Sequence, residues 1–275
     1  MDYIDGTVAT ELWAAKDCDI GSFGTPYQDR KFREQMASIQ VELSSFKFDQ
    51  IGSLYQDERT SDFFIGPDIE TGKGPWAASV DYYADLANHA LQVCVADAAP
   101  DIQTSCSFAI PVLFKHLISL YGQKSITGGP FSLTNRDFGA HNLLVNNDFE
   151  IIGVIDFDGI MAAPIEVVAQ YPPFTGLERQ PPGHVEIRPA AIDRIKRTEP
   201  KLKEYMNLVE IAEARMGASK NGEVSIASMM LSNATSVFQG LLQFASHQKF
   251  VNDIWMEAYL RLLREYVRSG EFPAP

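Results

Sequence analysis

Apolar residues recur along this chain with two different periods, and the change between them falls near the middle. Across 29–47, Phe32, Met36, Ile39, Leu43 and Phe46 step by fours and threes. That spacing gathers them on one face and predicts an amphipathic helix. A second helix is predicted over 79–98, with Tyr83, Leu86, His89, Ala90 and Val93 as its inner stripe. A third is predicted over 104–122, where Pro111 implies a kink or a late start. Between the first two, residues 48–78 are rich in Gly, Pro and Asp and read as a long surface excursion with one apolar patch, FFIG. Residues 1–15 read as an extended piece, a turn at Gly6 and a helix capped by Thr7 and anchored by Trp13.

The period shortens after Gly128-Gly129-Pro130, a firm break. FSLTN (131–135), NLLVN (142–146) and EIIGVIDF (150–157) carry the β-rich composition, and Asn146 to Phe149 is a turn-prone cluster between the last two. They predict a β-hairpin whose returning strand is too uniformly apolar for an exposed edge. Helical pattern resumes in AAPIEVVAQYP. A Pro-rich loop over 172–189 follows, then helices over 190–217, 224–247 and 250–269. Their stripes include Leu202, Met206, Val209 and Ala212, then Tyr259, Leu262, Leu263 and Tyr266. No repeat or sharp composition shift divides the chain, so a single α+β, mostly α domain over 1–275 is expected.

Composition narrows the function classes. The net charge of −13, from 23 basic and 36 acidic side chains, argues against nucleic acid or an anionic membrane as partner. Cys18, Cys94 and Cys106 are odd in number and widely spaced, which fits neither a disulfide framework nor a structural zinc site. There is no run of 18 apolar residues and no signal-peptide pattern at the acidic N-terminus. A cytoplasmic location is the resulting expectation.

The chemistry-bearing stretch is FSLTNRDFGAHNLLVNNDFEIIGVIDFDG, residues 131–159. Asp137 lies in the loop after the first strand, Asn142 follows five positions later, and Asp156 fourteen after that. A hairpin brings Asn142, at the start of one strand, beside Asp156, at the end of the other. An Asn carbonyl and an Asp carboxylate suit a hard cation such as Mg²⁺, which completes its shell with phosphate and water. A second carboxylate nearby can accept a proton from an attacking hydroxyl, and this is the layout of phosphoryl transfer. Singly, each residue also suits an ordinary turn or strand end. Asp156-x-Asp158 matches the short DxD pattern of metal–nucleotide-sugar sites as well, but no βαβ unit precedes it.

In these residues the chain resembles the catalytic segment of the aminoglycoside phosphotransferase-like family, choline kinase relatives within the protein-kinase-like fold. MDYIDG, KFDQIGSLY, GPFSLTNRD and MAAPIEVVAQYPPF resemble stretches of its fungal-type members. The resemblance implies a protein-kinase-like C-terminal lobe with a small catalytic hairpin and a helical tail. It implies ATP and Mg²⁺ as cofactors and a small-molecule hydroxyl as substrate. By it, Asp137 matches the catalytic base, Asn142 and Asp156 the metal ligands, and Asp2, Tyr3 and Ile4 the hinge whose backbone meets adenine. Arg136, His141 and Asp158 are accessory candidates, Arg136 toward phosphate and His141 toward solvent or substrate. Glu166, Glu178 and Asp193 are candidates for an acidic acceptor lining, and Trp76 for a pocket wall or loop anchor.

Two positions depart from that pattern. Asn135 stands where the family usually has a His that scaffolds the loop. The match also starts at the hinge, so the chain is expected to begin mid-fold, without the N-terminal lobe and its phosphate-binding Lys. Two expectations follow. Either Met1 is internal to a longer phosphotransferase, or the chain is a pseudokinase-like scaffold. In the second case apolar surface near Tyr3, Ile4 and the hairpin would be open to a protein partner.

Overall fold

The computed structural model describes residues 4–12, 22–96, 111–112, 114–119, 128–177, 192–217, 224–232, 235 and 268. The first long helix, α1, spans Pro26–Ser45. Its start is fixed locally. Thr25 Oγ1 accepts from the Gln28 backbone N–H at 3.3 Å, and the Gln28 side chain accepts from the Thr25 N–H at 2.9 Å. This capping box satisfies two amides that would otherwise lack partners, and Pro26 occupies a position where no amide is needed. Of the expected stripe Phe32 and Met36 are fully buried and Ile39 and Leu43 partly so, while Ala37 and Val41, outside that stripe, are also buried. Arg33, Gln40 and Ser44 are buried beside them. Phe46 falls just past the helix as its C-cap and is exposed.

The second helix, α2, spans Ser79–Ala96 and buries Tyr82, Tyr83, Ala87, Ala90 and Cys94. Residues 104–110 of the third expected helix lie outside the described residues, while 114–119 are helical, with Phe114, Leu117 and Ile118 buried and His116 exposed. The helix Ile192–Met216 turns Leu202, Tyr205, Leu208, Val209 and Ala212 inward and packs against α1. Gln40 ties the two together. Tyr205 Oη donates to its Oε1 at 3.0 Å, and its Nε2 donates to the carbonyls of Val168 and Gln170 at 3.0 and 2.9 Å. Every polar atom of that buried amide thus has a partner, which makes its burial affordable. Of the 224–247 helix the described part is Ile226–Met230, and the stripe expected at 259–266 lies outside the described residues.

The sheets correct the expectation most. Residues 48–78 are not a surface excursion. Lys47–Phe48 (β2), Gly52–Gln56 (β3) and Phe63–Gly66 (β4) join a five-stranded antiparallel sheet with Phe131–Asn135 (β5) and Ile160–Ala163 (β8). Its order is β2-β5-β8-β3-β4. The segment after Gly159 is likewise a strand before it is a helix, since β8 pairs with β5 (Leu133 opposite Ala162) and the helix Ile165–Val168 comes after it. All five residues of β5 are buried, as expected for a strand with neighbours on both sides.

A second sheet, of order β1-β6-β7, holds the hairpin. Its strands are Thr7–Val8 (β1), Leu143–Val145 (β6) and Ile151–Val154 (β7). Thr7 therefore lies in a strand and not at a helix cap; a short 3₁₀ turn, Ala9–Leu12, follows it, and Trp13 lies outside the described residues. The returning strand β7 is an edge strand, contrary to its uniformly apolar reading, and Ile152, Ile155 and Phe157 are exposed. Leu143 and Val145 face the core. Gln35 of α1 fixes the hairpin to the helical body. Its Nε2 donates to Phe149 O at 3.2 Å, and its Oε1 accepts from Ile151 N at 2.9 Å.

Candidate catalytic loop

β5 and β8 lie side by side, with Asn135 opposite Ile160, so the loops that follow β7 and β5 emerge at one end of the sheet. The loop after β5 carries Asp137, and the loop between β7 and β8 carries Asp156. Asn135 braces them. Its Oδ1 accepts from the Asp137 N–H at 3.0 Å, and its Nδ2 donates to the Asp156 carbonyl at 3.2 Å. Asn135 thus makes side-chain bonds to both loops. Gly159 sits beneath this brace. A Cβ there would lie 2.8 Å from Asn135 Oδ1 and 3.1 Å from Asp137 N, so glycine permits the approach.

The Asp137 carboxylate is exposed but held on both oxygens. Asn142, itself buried, donates from Nδ2 to Oδ2 at 3.0 Å and also to the Asp137 carbonyl at 3.1 Å. His141 Nε2 lies 3.0 Å from Oδ1. Each carboxylate oxygen keeps a further lone pair for an incoming hydroxyl. Asn142 and Asp156 are brought together by the hairpin as the spacing requires, because Ile155 N donates to Asn142 O at 2.9 Å. Asp156 adopts φ +58°, in the left-handed region, and its Oδ1 accepts a long bond from Asp158 N at 3.4 Å. A non-glycine residue held there is a local strain of the kind that clusters at functional sites.

The donor set suits a hard cation. With its amide nitrogen turned to Asp137, Asn142 directs its carbonyl oxygen elsewhere, and Asp156 supplies an exposed carboxylate beside it. Among the described residues no three His, Cys, Asp or Glu side chains cluster as a self-sufficient metal site. One amide and one carboxylate are the sparse protein contribution that Mg²⁺ accepts when phosphate and water fill its other positions.

No family model and no curated protein matches this chain. Among solved structures, one titled macrolide 2'-phosphotransferase type I superposes with a TM-score of 0.41 at 10% identity, over 99% of this chain and 68% of its own. A likeness this distant transfers no role, so the functional reading rests on the loop itself. Among the described residues no helix is long and apolar enough to cross a membrane.

The remaining candidates fall as follows. Asp2 and Tyr3 lie outside the described residues. Ile4 is exposed and stands over Gly153 of β7, where an added Cβ would meet its Cδ1 at 3.1 Å. Arg136 is not offered to solvent as a free cation. Its guanidinium lies 3.3 Å from Asp68, which is fully buried, and 3.3 Å from Glu70. Tyr82 lies in the same network. Burial pushes its phenol well above the ordinary range, with Arg136 opposing the shift. Glu166 is buried, with Tyr83 Oη 3.4 Å from its Oε2, rather than lining an open pocket. Trp76 is a buried anchor whose Nε1 donates to Asp85 at 2.8 Å. Glu178 lies outside the described residues, as does the side chain of Asp193. Asp68 carries no sequence signal, and Phe174 only closes the stretch MAAPIEVVAQYPPF. Both sit in loops, where neither hydrophobic period nor motif spacing marks them.

Proposed function

We propose that this protein is a phosphotransferase that uses ATP and Mg²⁺ to phosphorylate a small-molecule hydroxyl. The observation that carries the reading is the Asp137 carboxylate, exposed yet held by a 3.0 Å hydrogen bond from Asn142, with His141 Nε2 3.0 Å from its other oxygen and Asp156 braced to the same loop through Asn135. Asn142 and Asp156 would hold Mg²⁺, which supplies charge neutralisation for the nucleotide's phosphate oxygens. Asp137 orients the acceptor hydroxyl and takes its proton. The acceptor oxygen then forms its bond to the γ-phosphorus as the bond to the β–γ bridging oxygen breaks and ADP leaves. Because the carboxylate is fixed before substrate arrives, little reorganisation is left for the reaction itself. Apolar surface at Ile4 and Ile155 suits the face of an adenine ring.

That same surface also favours a second reading, a pseudokinase-like binding module. Ile4, Ile152, Ile155 and Phe157 are all exposed about one edge sheet, and a protein partner could cover them. Calorimetric titration with MgATP separates the two. The phosphotransferase reading expects micromolar binding that Asp156→Ala weakens by about tenfold or more, or about 1.4 kcal/mol. Asp137→Asn should leave nucleotide binding intact and lower the release of ADP with water as acceptor by about 10²- to 10⁴-fold. Absence of MgATP binding by the wild-type chain would sink the phosphotransferase reading in favour of the module.

A further inference from the structure

Beside Asp137 the surface continues in a definite direction. His141, whose Nε2 meets the Asp137 carboxylate, packs edge-on against Phe174 with ring centroids 4.6 Å apart and an interplanar angle of 71°. Phe174 is 53% exposed, an unusual state for a Phe in a tight turn. Its backbone is at φ +56°, which a bulky side chain rarely adopts. The turn is nevertheless firmly built. Arg33 of α1, almost fully buried, donates to the Thr175 carbonyl at 3.0 Å, and Thr175 Oγ1 donates to Pro172 O at 2.5 Å. Pro173 O accepts from Ala140 N at 3.3 Å and lies so close to Gly139 that a Cβ there would approach it to 2.5 Å. The aromatic ring is thus presented on a rigid support, in an unfavourable backbone conformation, and packed on the residue that holds the base.

Resting on the phosphotransferase reading of this loop, we infer that Phe174 and His141 form the acceptor shelf, and that the acceptor carries its hydroxyl on or next to an apolar ring. An acceptor hydroxyl that reaches Asp137 brings its carbon skeleton over the neighbouring surface. Among the described residues on this side, that surface is an imidazole and a phenyl ring. Aromatic contacts of this kind favour a planar or apolar body over a small, fully hydroxylated chain. His141 acts in this arrangement as a positioning residue for Asp137, and Phe174 as a determinant of specificity.

The test uses the full chain without nucleotide, with benzyl alcohol and glycerol as probes and the His141 imidazole signals as the readout. Those signals are assigned among the five histidines by their loss in His141→Gln. Benzyl alcohol should shift them and glycerol should not. Phe174→Asn removes the ring while placing a residue that tolerates the left-handed conformation. It should melt no lower than wild type yet bind benzyl alcohol about three- to tenfold more weakly, whereas Phe174→Tyr should bind as wild type. Equal shifts with glycerol, or unchanged benzyl alcohol affinity in Phe174→Asn, would overturn the inference. Since no phosphoryl transfer is measured, a chain that binds benzyl alcohol here but never binds MgATP would overturn the function reading alone.

Discussion

Replacing Asn135 with Ala asks whether one buried amide holds the two site loops together. The side chain is 4% exposed and makes two bonds, one from Asp137 N at 3.0 Å and one to Asp156 O at 3.2 Å. Neither partner lies in a regular strand, so no ladder bond compensates. Each bond contributes about 1 kcal/mol net, giving about 2 kcal/mol for the pair. That is about 30-fold in the folding equilibrium. Little apolar volume is lost, so a cavity adds little. Urea unfolding of wild type and variant measures the difference directly, provided the denaturant slope is unchanged. Asn135→Asp sharpens the test. It keeps an acceptor for Asp137 N, loses the donor to Asp156 O, and adds a third carboxylate between Asp137 and Asp156. It should therefore be no milder than Ala. A loss below about 0.5 kcal/mol for Asn135→Ala, the range of surface substitutions, would refute the bracing role.

Two further outcomes follow from buried groups. Asp68→Asn leaves the Arg136 guanidinium with only the exposed Glu70 carboxylate as a charged partner, and breaking a buried pair costs about 3–5 kcal/mol; a denaturation loss under about 1 kcal/mol would show the pair to be incidental. Tyr82 and Tyr205 have phenols pushed well above the ordinary range by burial, so both stay neutral while exposed tyrosines ionise. Their folded values exceed the unfolded ones, so the stability they contribute is complete below the unfolded value and is lost as pH rises through the folded one. Ultraviolet titration should show a subset of the 10 tyrosines ionising only as the chain unfolds, and full ionisation with the fold intact would contradict it.

The helices were legible because their signal is local. Phe32 and Met36 of α1, and Leu202, Val209 and Ala212 of the later helix, repeat at the helical period and are buried. The polar half of the α1 interior was not, since Arg33 and Gln40 are stabilised by carbonyls more than 100 positions away. The strands β3 and β8 escape the sequence pattern for a related reason. β3 begins Gly-Ser, both buried, and β8 reads Met-Ala-Ala, with no β-branched run to mark it after Ile160. Their strand character comes from non-local pairing, β8 with β5 and β3 with β8. At the site, spacing alone placed Asn142 near Asp137 and Asp156, because a hairpin converts sequence distance into proximity. It could not show that His141 would reach back to Asp137, or that Phe174 would stand beside it, since those contacts depend on how the 172–177 turn docks on Gly139.

The outer edge of the five-stranded sheet has a consequence for how copies of the chain meet in solution. β4 offers only four residues, with Phe63 and Phe64 exposed, next to a turn that carries Asp57, Glu58, Arg59 and Asp62. A short apolar edge left bare is a template for pairing with another chain, and charges at its end are the usual safeguard. Two copies aligning β4 against β4 would bring these acid-rich turns together, on molecules that each carry a net charge of −13. High salt or low pH removes that repulsion first, so loss of colloidal stability under those conditions should begin at this edge while the core is still folded.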